Sequence, residues 1–244
     1  MKNKIRNFLY QHGYKNSLLQ KIWILLSLPY KRYKEKIKIR NIQKKGDELL
    51  NEILNISKEC GVIIWPEYGT LLGAYREKSF ISHDIDIDLG ILISDFTPEL
   101  KKTLTKKGFS IVRYFNIVNF KTGKTEIREL TYNYKGINFD LFLSDIENNK
   151  RFVYVFPSKI DDLDNKFNIR KYTVEYCTEL EQITINKNKF TYPGNVKNYL
   201  KAIYGDNFMT PIKNWQPLQN NPAMVMLNNT EAYGEMYLNK TNSI

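Results

Sequence analysis

The sequence has few of the residues that build zinc sites or disulfide frameworks. It contains two cysteines, Cys60 and Cys177, and two histidines, His12 and His83, in 244 residues. Two cysteines are too few for a disulfide framework, and no spacing typical of zinc ligands links them to a histidine. We therefore interpret both cysteines as free thiols in a reducing compartment. A chain of this length can bury a hydrophobic core of its own.

Long hydrophobic runs are also absent. The apolar stretch at 22–30 is nine residues long, whereas a membrane-spanning helix needs about 20. The polar and charged first 21 residues do not resemble a secretory signal. Two interpretations stay open for residues 1–45: a helix lying on the membrane surface, or a helix packed on the domain with its charges in water. We expect a cytoplasmic protein, with the inner face of the membrane as its second location.

The basic charge of the chain is concentrated at one end. Of the net charge of +11, residues 1–45 carry +12, from 13 Lys or Arg and the single acid Glu35, which leaves −1 for the rest. A nucleic-acid-binding domain would spread its basic residues over the folded body. We therefore predict no nucleic-acid partner.

Three regions follow from these patterns. Residues 1–45 form a basic helical segment, with a boundary at Gly46-Asp47. Residues 46–212 form the catalytic domain. Residues 213–244 are rich in Asn and contain Pro217 and Pro222, which predicts an irregular tail.

Strand and helix signals alternate after residue 46. Strands are predicted at 62–65, 85–89, 152–156, 171–176 and 182–192, and a hairpin joins 126–134 to 137–144 around Lys135-Gly136. Helices are predicted at 49–60, from 71, at 98–107 after the cap Thr97, and after Asn195 as far as Tyr204. These elements indicate an α+β domain with a mixed sheet flanked by helices.

A row of acids suggests a metal site. Asp84, Asp86 and Asp88 occupy every second position of one predicted strand, so their side chains share a face. Like charges so close together repel unless a cation neutralises them, and ligands that are all oxygen suit Mg²⁺ or Mn²⁺. We predict Asp86 and Asp88 as metal ligands and Asp84 as a supporting group. The alternative is a half-exposed edge strand with a solvated face.

Asp140 is the predicted third ligand. It is the only acid in the apolar strand 137–143, and a buried lone carboxylate is costly without a partner. We therefore predict that Asp86, Asp88 and Asp140 are catalytic and bind the metal. Upstream, Gly69-Thr70 at a helix start and Arg76 are predicted to bind a phosphate.

The motifs resemble the signature of the LicD family. The resemblance lies in YGTLLGAYR at 68–76, FISHDIDIDLG at 80–90, NFDLFL at 138–143, and Tyr204-Gly205-Asp206 followed by Met209 and Pro211. It implies a nucleotidyltransferase-like fold of the polymerase-β type. It also implies metal-dependent transfer of a phospho-substituent, most often phosphocholine, from a CDP-activated donor (CDP-choline or a CDP-alditol) to a sugar hydroxyl. The acceptor would be a cell-surface glycan such as lipopolysaccharide, capsule or teichoic acid.

Two positions depart from the family pattern. Ser82-His83 replaces Pro-Trp, and Ile85 replaces the middle Asp of a triple. These changes spare the predicted metal ligands and leave the donor open. His83 is either a donor contact or a loop histidine. The alternatives are transfer of phosphoglycerol or phosphoribitol, a nucleotidyltransferase that modifies a small molecule, and a non-catalytic membrane-associated scaffold.

Overall fold

A computed structural model of the chain describes residues 18–160, 165–176, 179–212 and 223–239, with side chains from residue 28 onward. The helices are α1 (Leu18–Cys60), α2 (Tyr68–Glu77), α3 (Pro98–Lys106) and α4 (Val196–Tyr204). The strands are β1 (Ile64–Pro66), β2 (Ile87–Leu92), β3 (Ser110–Asn119), β4 (Thr125–Tyr134), β5 (Ile137–Glu147), β6 (Lys150–Val155), β7 (Lys166–Phe167), β8 (Arg170–Glu175), β9 (Leu180–Ile185), β10 (Asn188–Pro193), β11 (Met224–Met226) and β12 (Ala232–Leu238).

The central strand of the sheet is β5. It pairs in parallel with β2 and antiparallel with β4 and β6. The ten-stranded sheet runs in the order β11-β8-β6-β5-β4-β3-β12-β7, and β1 pairs with the free side of β2. Among the described residues, every other strand pair of this sheet is antiparallel. The predicted α+β class with a mixed sheet is therefore confirmed.

Local signals in the sequence placed several elements correctly. The turn between β4 and β5 is Lys135-Gly136, with both residues at positive φ, as the hairpin pattern predicts. α3 begins with Pro98 at its first turn, and the Thr97 side chain accepts a hydrogen bond from the Leu100 amide at 3.2 Å. Asn195 caps α4 in the same way. The turn and the two helix caps depend only on residues that are close in the chain, so the sequence is sufficient to predict them.

Two predictions of local structure in the C-terminal half of the chain were wrong. Residues 182–192 form the hairpin β9–β10, not one strand, because Asn186 turns the chain at positive φ. The tail predicted to be irregular contributes β11 and β12, and β12 pairs with both β3 and β7. The alternation in 232–238 is weak, and the neighbouring strands supply the backbone partners that hold it in the sheet. Residues 213–222 lie outside the described part.

The sequence predicts a domain boundary at Gly46-Asp47, but the helix α1 passes through Gly46 without a break. Its side chains enter the core from Ile42 onward, with Leu49, Ile53 and Ile56 buried. A Cβ at Gly46 would lie 2.7 Å from the Phe80 ring, so glycine lets the helix approach Phe80 closely. Residues 1–17 of the predicted basic segment lie outside the described part. None of the helices searched in the described residues is long and apolar enough to cross a bilayer.

Candidate active site

Four side chains form a row across one face of the sheet. Asp88 of β2 is in register with Asp140 of β5, Asp140 with Thr131 of β4, and Thr131 with Arg113 of β3. Residues paired in register point to the same face of a sheet. The structure therefore brings Asp88 and Asp140 together, although 51 residues separate them in the chain.

The start of β2 differs from the prediction. We expect Asp84, Asp86 and Asp88 on one strand, but β2 begins at Ile87, so that Asp84 and Asp86 lie in the loop before it. The loop turns at Ser82-His83 and then leads Asp86 into the strand. Asp86 nevertheless lies near the row, since its charge adds to the effect of burial in raising the pKa of both Asp88 and Asp140.

Asp140 is held by two neighbours in the row. The Thr131 hydroxyl donates a hydrogen bond to Asp140 Oδ1. Arg113 Nε donates to Thr131 Oγ1 at 2.8 Å, and Arg113 Nη2 lies 3.7 Å from Asp140 Oδ2. Thr131 thus links the guanidinium to the carboxylate. Neither Arg113 nor Thr131 belongs to the sites predicted from the sequence.

The site concentrates negative charge in a poorly solvated place. Burial, together with the charges of Asp86 and Glu77, raises the pKa of Asp84 to about 7. Burial also raises the pKa of Asp86, and burial together with the neighbouring carboxylates raises that of Asp88. For Asp140, burial outweighs the Thr131 hydrogen bond and the Arg113 charge, so its pKa is also raised. Burial is the largest cause of each of these shifts, and neighbouring carboxylates add to it at Asp84, Asp88 and Asp140.

Glu129 is a further carboxylate that the sequence reasoning missed. It lies on β4 two residues before Thr131 and pairs in register with Phe142, so it faces the same side as Asp140. Burial, and then the charge of Asp140, raises the pKa of Glu129 to about 8. The position of Glu129 could have been predicted from the sequence, because a two-residue turn at Lys135-Gly136 sets the whole register of the β4–β5 hairpin.

The turn between β1 and α2 holds the backbone of Asp88 on both sides. The Asp88 amide donates to Thr70 Oγ1 at 2.9 Å, and the Glu67 amide donates to the Asp88 carbonyl at 2.9 Å. Thr70 is buried and its hydroxyl oxygen is engaged with β2. In the structure, Thr70 therefore supports the backbone of Asp88. The phosphate contact predicted for Thr70 from the sequence stays a prediction.

A buried cluster of polar and aromatic groups fixes this turn in place. The Glu67 carboxylate accepts hydrogen bonds from Arg151 Nη1 at 2.6 Å and from Trp65 Nε1 at 2.7 Å. Arg151 also donates to the Tyr192 hydroxyl at 2.8 Å. A Cβ at Gly90 would lie 2.3 Å from Trp65 Nε1, so only glycine fits opposite the cluster. The sequence shows no local sign that Glu67 and Arg151 meet.

Two of the three predicted phosphate-binding residues, Gly69 and Arg76, line a cleft beside the row of carboxylates. The cleft has a volume of about 220 Å³, and its walls include Gly69, Arg76, His83, Asp84, Tyr204 and Phe208. A Cβ built on Gly69 would lie 3.5 Å from Asp84 Oδ2 and 3.9 Å from Asp88 Oδ2. Arg76 Nη2 pairs with Glu77 Oε1 at 3.1 Å. The cleft therefore opens directly onto the carboxylates.

A second, smaller cavity lies beside Ile85, the residue that precedes Asp86. It has a volume of about 90 Å³ and is lined by Lys38, Asn41 and Ile42 of α1 together with Ile85 and residues 136–138. The positive charge of Lys38 opposes the rise in the pKa of Asp86 and Asp140. The sequence analysis places Lys38 in the basic segment 1–45, outside the catalytic domain, because no residue near Lys38 in the chain indicates an active site.

The carboxylates fit a hard divalent cation by their chemistry. All donors are oxygens, and burial, with neighbouring carboxylates at Asp84, Asp88 and Asp140, raises their pKa values. Nevertheless, no group of three or more His, Cys, Asp or Glu in the described ranges is arranged so that it could hold a metal ion as it stands. The fit thus lies in the donor set and its charge, and side-chain rotation would have to complete a ligand sphere.

Comparison with protein families finds one match. The model of the family described as "LicD/FKTN/FKRP, nucleotidyltransferase domain" matches residues 61–195. This range includes the row of carboxylates, Gly69, Arg76 and Glu67, and it covers more than half of the chain.

Curated relatives agree with that match. The chain is 28% identical over 187 residues to a mouse protein named "Ribitol-5-phosphate transferase FKTN", and 26% identical over 187 residues to the human protein of the same name. Each alignment covers 71% of this chain and 35% of the relative. An "Uncharacterized protein T07A5.1" of Caenorhabditis elegans is 30% identical over 136 residues, which is 54% of this chain and 35% of that protein. The chain thus spans about a third of the length of these relatives.

Proposed function

The chain belongs to the LicD/FKTN/FKRP family, and on this premise we propose that it transfers a phospho-substituent from a CDP-activated donor to a sugar hydroxyl of a glycan. The family match confirms the resemblance stated above. The observation that carries the proposal is the row Asp88–Asp140–Thr131–Arg113, which opens onto the cleft of Gly69 and Arg76. Negative charge beside a phosphate-sized cleft is the arrangement that metal-assisted phosphoryl transfer requires.

We assign phosphoribitol or a related phospho-alditol as the transferred group. The support is the printed name of the relatives, ribitol-5-phosphate transferase. Phosphocholine, which the family resemblance alone favours, is the second candidate. The aromatic side chains of Tyr204 and Phe208 in the cleft favour it, because a quaternary ammonium binds to aromatic faces.

The fold proposed for this activity is the nucleotidyltransferase-like one, in which carboxylates on adjacent strands hold a divalent ion. Mg²⁺ or Mn²⁺ at Asp86, Asp88 and Asp140 would offset the charge of the donor diphosphate. The cleft supplies the donor contacts. The Arg76 guanidinium binds phosphate oxygens, and the backbone amide of Gly69 at the start of α2 adds a donor.

The acceptor reacts on the side of Asp140. Its sugar hydroxyl attacks the phosphorus that carries the alditol, the bond from that phosphorus to the oxygen bridging it to CMP breaks, and CMP leaves with the electron pair. Asp140 accepts the hydroxyl proton, as a general base must lie beside the attacking group. Thr131 and Arg113 orient Asp140 for this role. Asp84 and His83 line the donor cleft and support its phosphate end.

The experiment is incubation with CDP-ribitol, CDP-glycerol and CDP-choline, each with Mg²⁺, with CMP release and product mass as the readouts. We expect CMP release with a CDP-alditol, and loss of release in Asp86→Asn and Asp88→Asn without loss of folding. Asp95→Asn is the matched control, because Asp95 follows the far end of β2. Full activity of Asp86→Asn and Asp88→Asn would refute the site, and addition of CMP to the acceptor would identify a nucleotidyltransferase instead.

A further inference from the structure

Residues 28–38 of α1 form a part of the helix that is exposed to solvent on every side. Each side chain from Leu28 to Lys38 is exposed, and Ile42 is the first buried side chain described in the helix. At about 1.5 Å per residue, the exposed part is about 16 Å long. This exposed part reaches the domain close to the active site, since Lys38 and Ile42 line a cavity with Ile85, which precedes Asp86, and Asn138, which lies two residues before Asp140.

This exposed part has an apolar face. Tyr30, Tyr33 and Ile37 stand at positions i, i+3 and i+7, which places them on one side of a helix. Their exposed fractions are 45%, 63% and 41%. Three large apolar side chains on one side of a solvent-exposed helix indicate a surface that binds a membrane or another protein.

The positive charge of the same segment indicates which kind of partner the apolar face can bind. Residues 28–45 contain eight Lys or Arg and one acid, Glu35, whereas residues 46–244 carry a net charge of −1. A second copy of the chain would bring the same positive charge against this face, and like charges repel. A negatively charged surface with an apolar interior satisfies both the basic residues and the apolar face.

We propose that residues 28–41 of α1 bind the surface of a membrane that contains anionic lipids. Tyr30, Tyr33 and Ile37 enter the boundary between headgroups and acyl chains, and the surrounding Lys and Arg side chains contact the lipid phosphates. The helix lies on the membrane and does not cross it. This binding is independent of the catalytic proposal, because none of the three apolar residues lines the cleft or the smaller cavity.

Membrane binding would also orient the active site. Ile37 belongs to the apolar face, and the next residue, Lys38, lines the cavity beside Ile85 and Asn138. Less than one helical turn therefore separates the membrane-binding face from the side of Asp140. This orientation of the active site implies that the acceptor glycan is presented at the membrane surface, an inference that rests on the proposed function.

The test uses the full-length chain and vesicle flotation at physiological salt. We expect binding to vesicles of phosphatidylcholine mixed with phosphatidylglycerol, little binding to phosphatidylcholine alone, and weaker binding at high salt because salt screens the lipid charge. The triple variant Tyr30→Gln, Tyr33→Gln and Ile37→Gln keeps the charge and should lower vesicle affinity by about tenfold or more.

A matched control removes exposed apolar side chains elsewhere. Ile146, Leu180 and Val225 are exposed and lie on β5, β9 and β11, so the same triple change to Gln should leave vesicle binding intact. Equal binding by the Tyr30/Tyr33/Ile37 variant and the wild type, or no binding to anionic vesicles, would overturn the proposal. So would a wild-type dimer that forms without lipid and is lost in that variant.

The two proposals can fail separately. Binding of vesicles by a chain that never releases CMP would leave the membrane surface standing and refute the catalytic function. Release of CMP onto a soluble acceptor by a chain that ignores anionic vesicles would do the reverse. The melting temperature of each variant shows that it is folded before either result is read.

Discussion

Arg151 and Glu67 form an ion pair in which neither side chain has any exposure to solvent. Arg151 Nη1 lies 2.6 Å from Glu67 Oε2, and Arg151 Nη2 lies 3.3 Å from Glu67 Oε1. The backbone amide of Glu67 donates to the carbonyl of Asp88. Through this contact, a buried pair that is not part of the cleft wall holds the strand that carries a predicted metal ligand.

We predict that Arg151→Met destabilises the protein strongly. The change leaves the Glu67 carboxylate buried without its cation, which typically costs about 3–5 kcal/mol in the free energy of unfolding. Urea denaturation monitored by circular dichroism measures this loss. Adding Glu67→Gln to the same chain should recover a large part of it, because the remaining buried group is then neutral.

The control for this prediction is an exposed ion pair. Lys201 Nζ lies 3.1 Å from Asp206 Oδ1, and both side chains are well exposed. Lys201→Met should therefore change stability by no more than about 1 kcal/mol. Similar losses in Lys201→Met and Arg151→Met would contradict the role given to the buried pair.

Thr70 should matter through its hydroxyl more than through its bulk. Thr70→Val leaves the Asp88 amide without its acceptor, a loss of about 1–3 kcal/mol for a buried donor. Thr70→Ser keeps the hydroxyl. We expect CMP release and Mn²⁺ affinity to fall further in Thr70→Val than in Thr70→Ser. The reverse order would mean that the methyl group, and not the hydrogen bond, positions β2.

The metal-free protein should lose stability as pH rises from about 5 to 8. Burial raises the pKa of Asp84 from 3.8 to about 7 and that of Glu129 from 4.5 to about 8. Between the unfolded and folded values, the folded chain binds more protons than the unfolded chain, so the free energy of unfolding falls with increasing pH. Melting temperatures in EDTA, measured across this range, check the sign.

Divalent cations should oppose that loss at the upper end of the range. A cation that binds the ionised carboxylates stabilises the folded state by mass action. Mg²⁺ should raise the melting temperature more at pH 8 than at pH 5, and Asp84→Asn should flatten the metal-free profile. A melting temperature that increases with pH in EDTA would show that Asp84 and Glu129 are not buried as described.

Arg113 should support Asp140 with its charge and its hydrogen bond. Arg113→Gln removes the cation that lies 3.7 Å from Asp140 Oδ2. Loss of such an outer partner of a metal site typically costs about ten- to a hundredfold in metal affinity or activity. Mn²⁺ titration and CMP release measure both, and Lys102→Gln on the exposed side of α3 is the control. Unchanged Mn²⁺ affinity and activity in Arg113→Gln would remove Arg113 from the site.

The sequence alone was sufficient where the determining contacts are local. The two-residue turn at Lys135-Gly136 sets the β4–β5 register, so Thr131 opposite Asp140 and the facing side of Glu129 could both be derived from it. Glu129 was missed because the register was not followed back beyond the turn. The D-x-D spacing likewise identified Asp86 and Asp88, although β2 starts only at Ile87.

Tertiary structure alone decided the rest. The parallel pairing that sets Asp88 beside Asp140, the position of Lys38 beside Asp86, the meeting of Glu67 with Arg151, and the insertion of β12 beside β3 all join residues far apart in the chain. Periodicity and turn chemistry act over a few residues and show which face of an element is buried. Which element covers that face depends on the free energy of packing the whole chain, and no short stretch of sequence contains it.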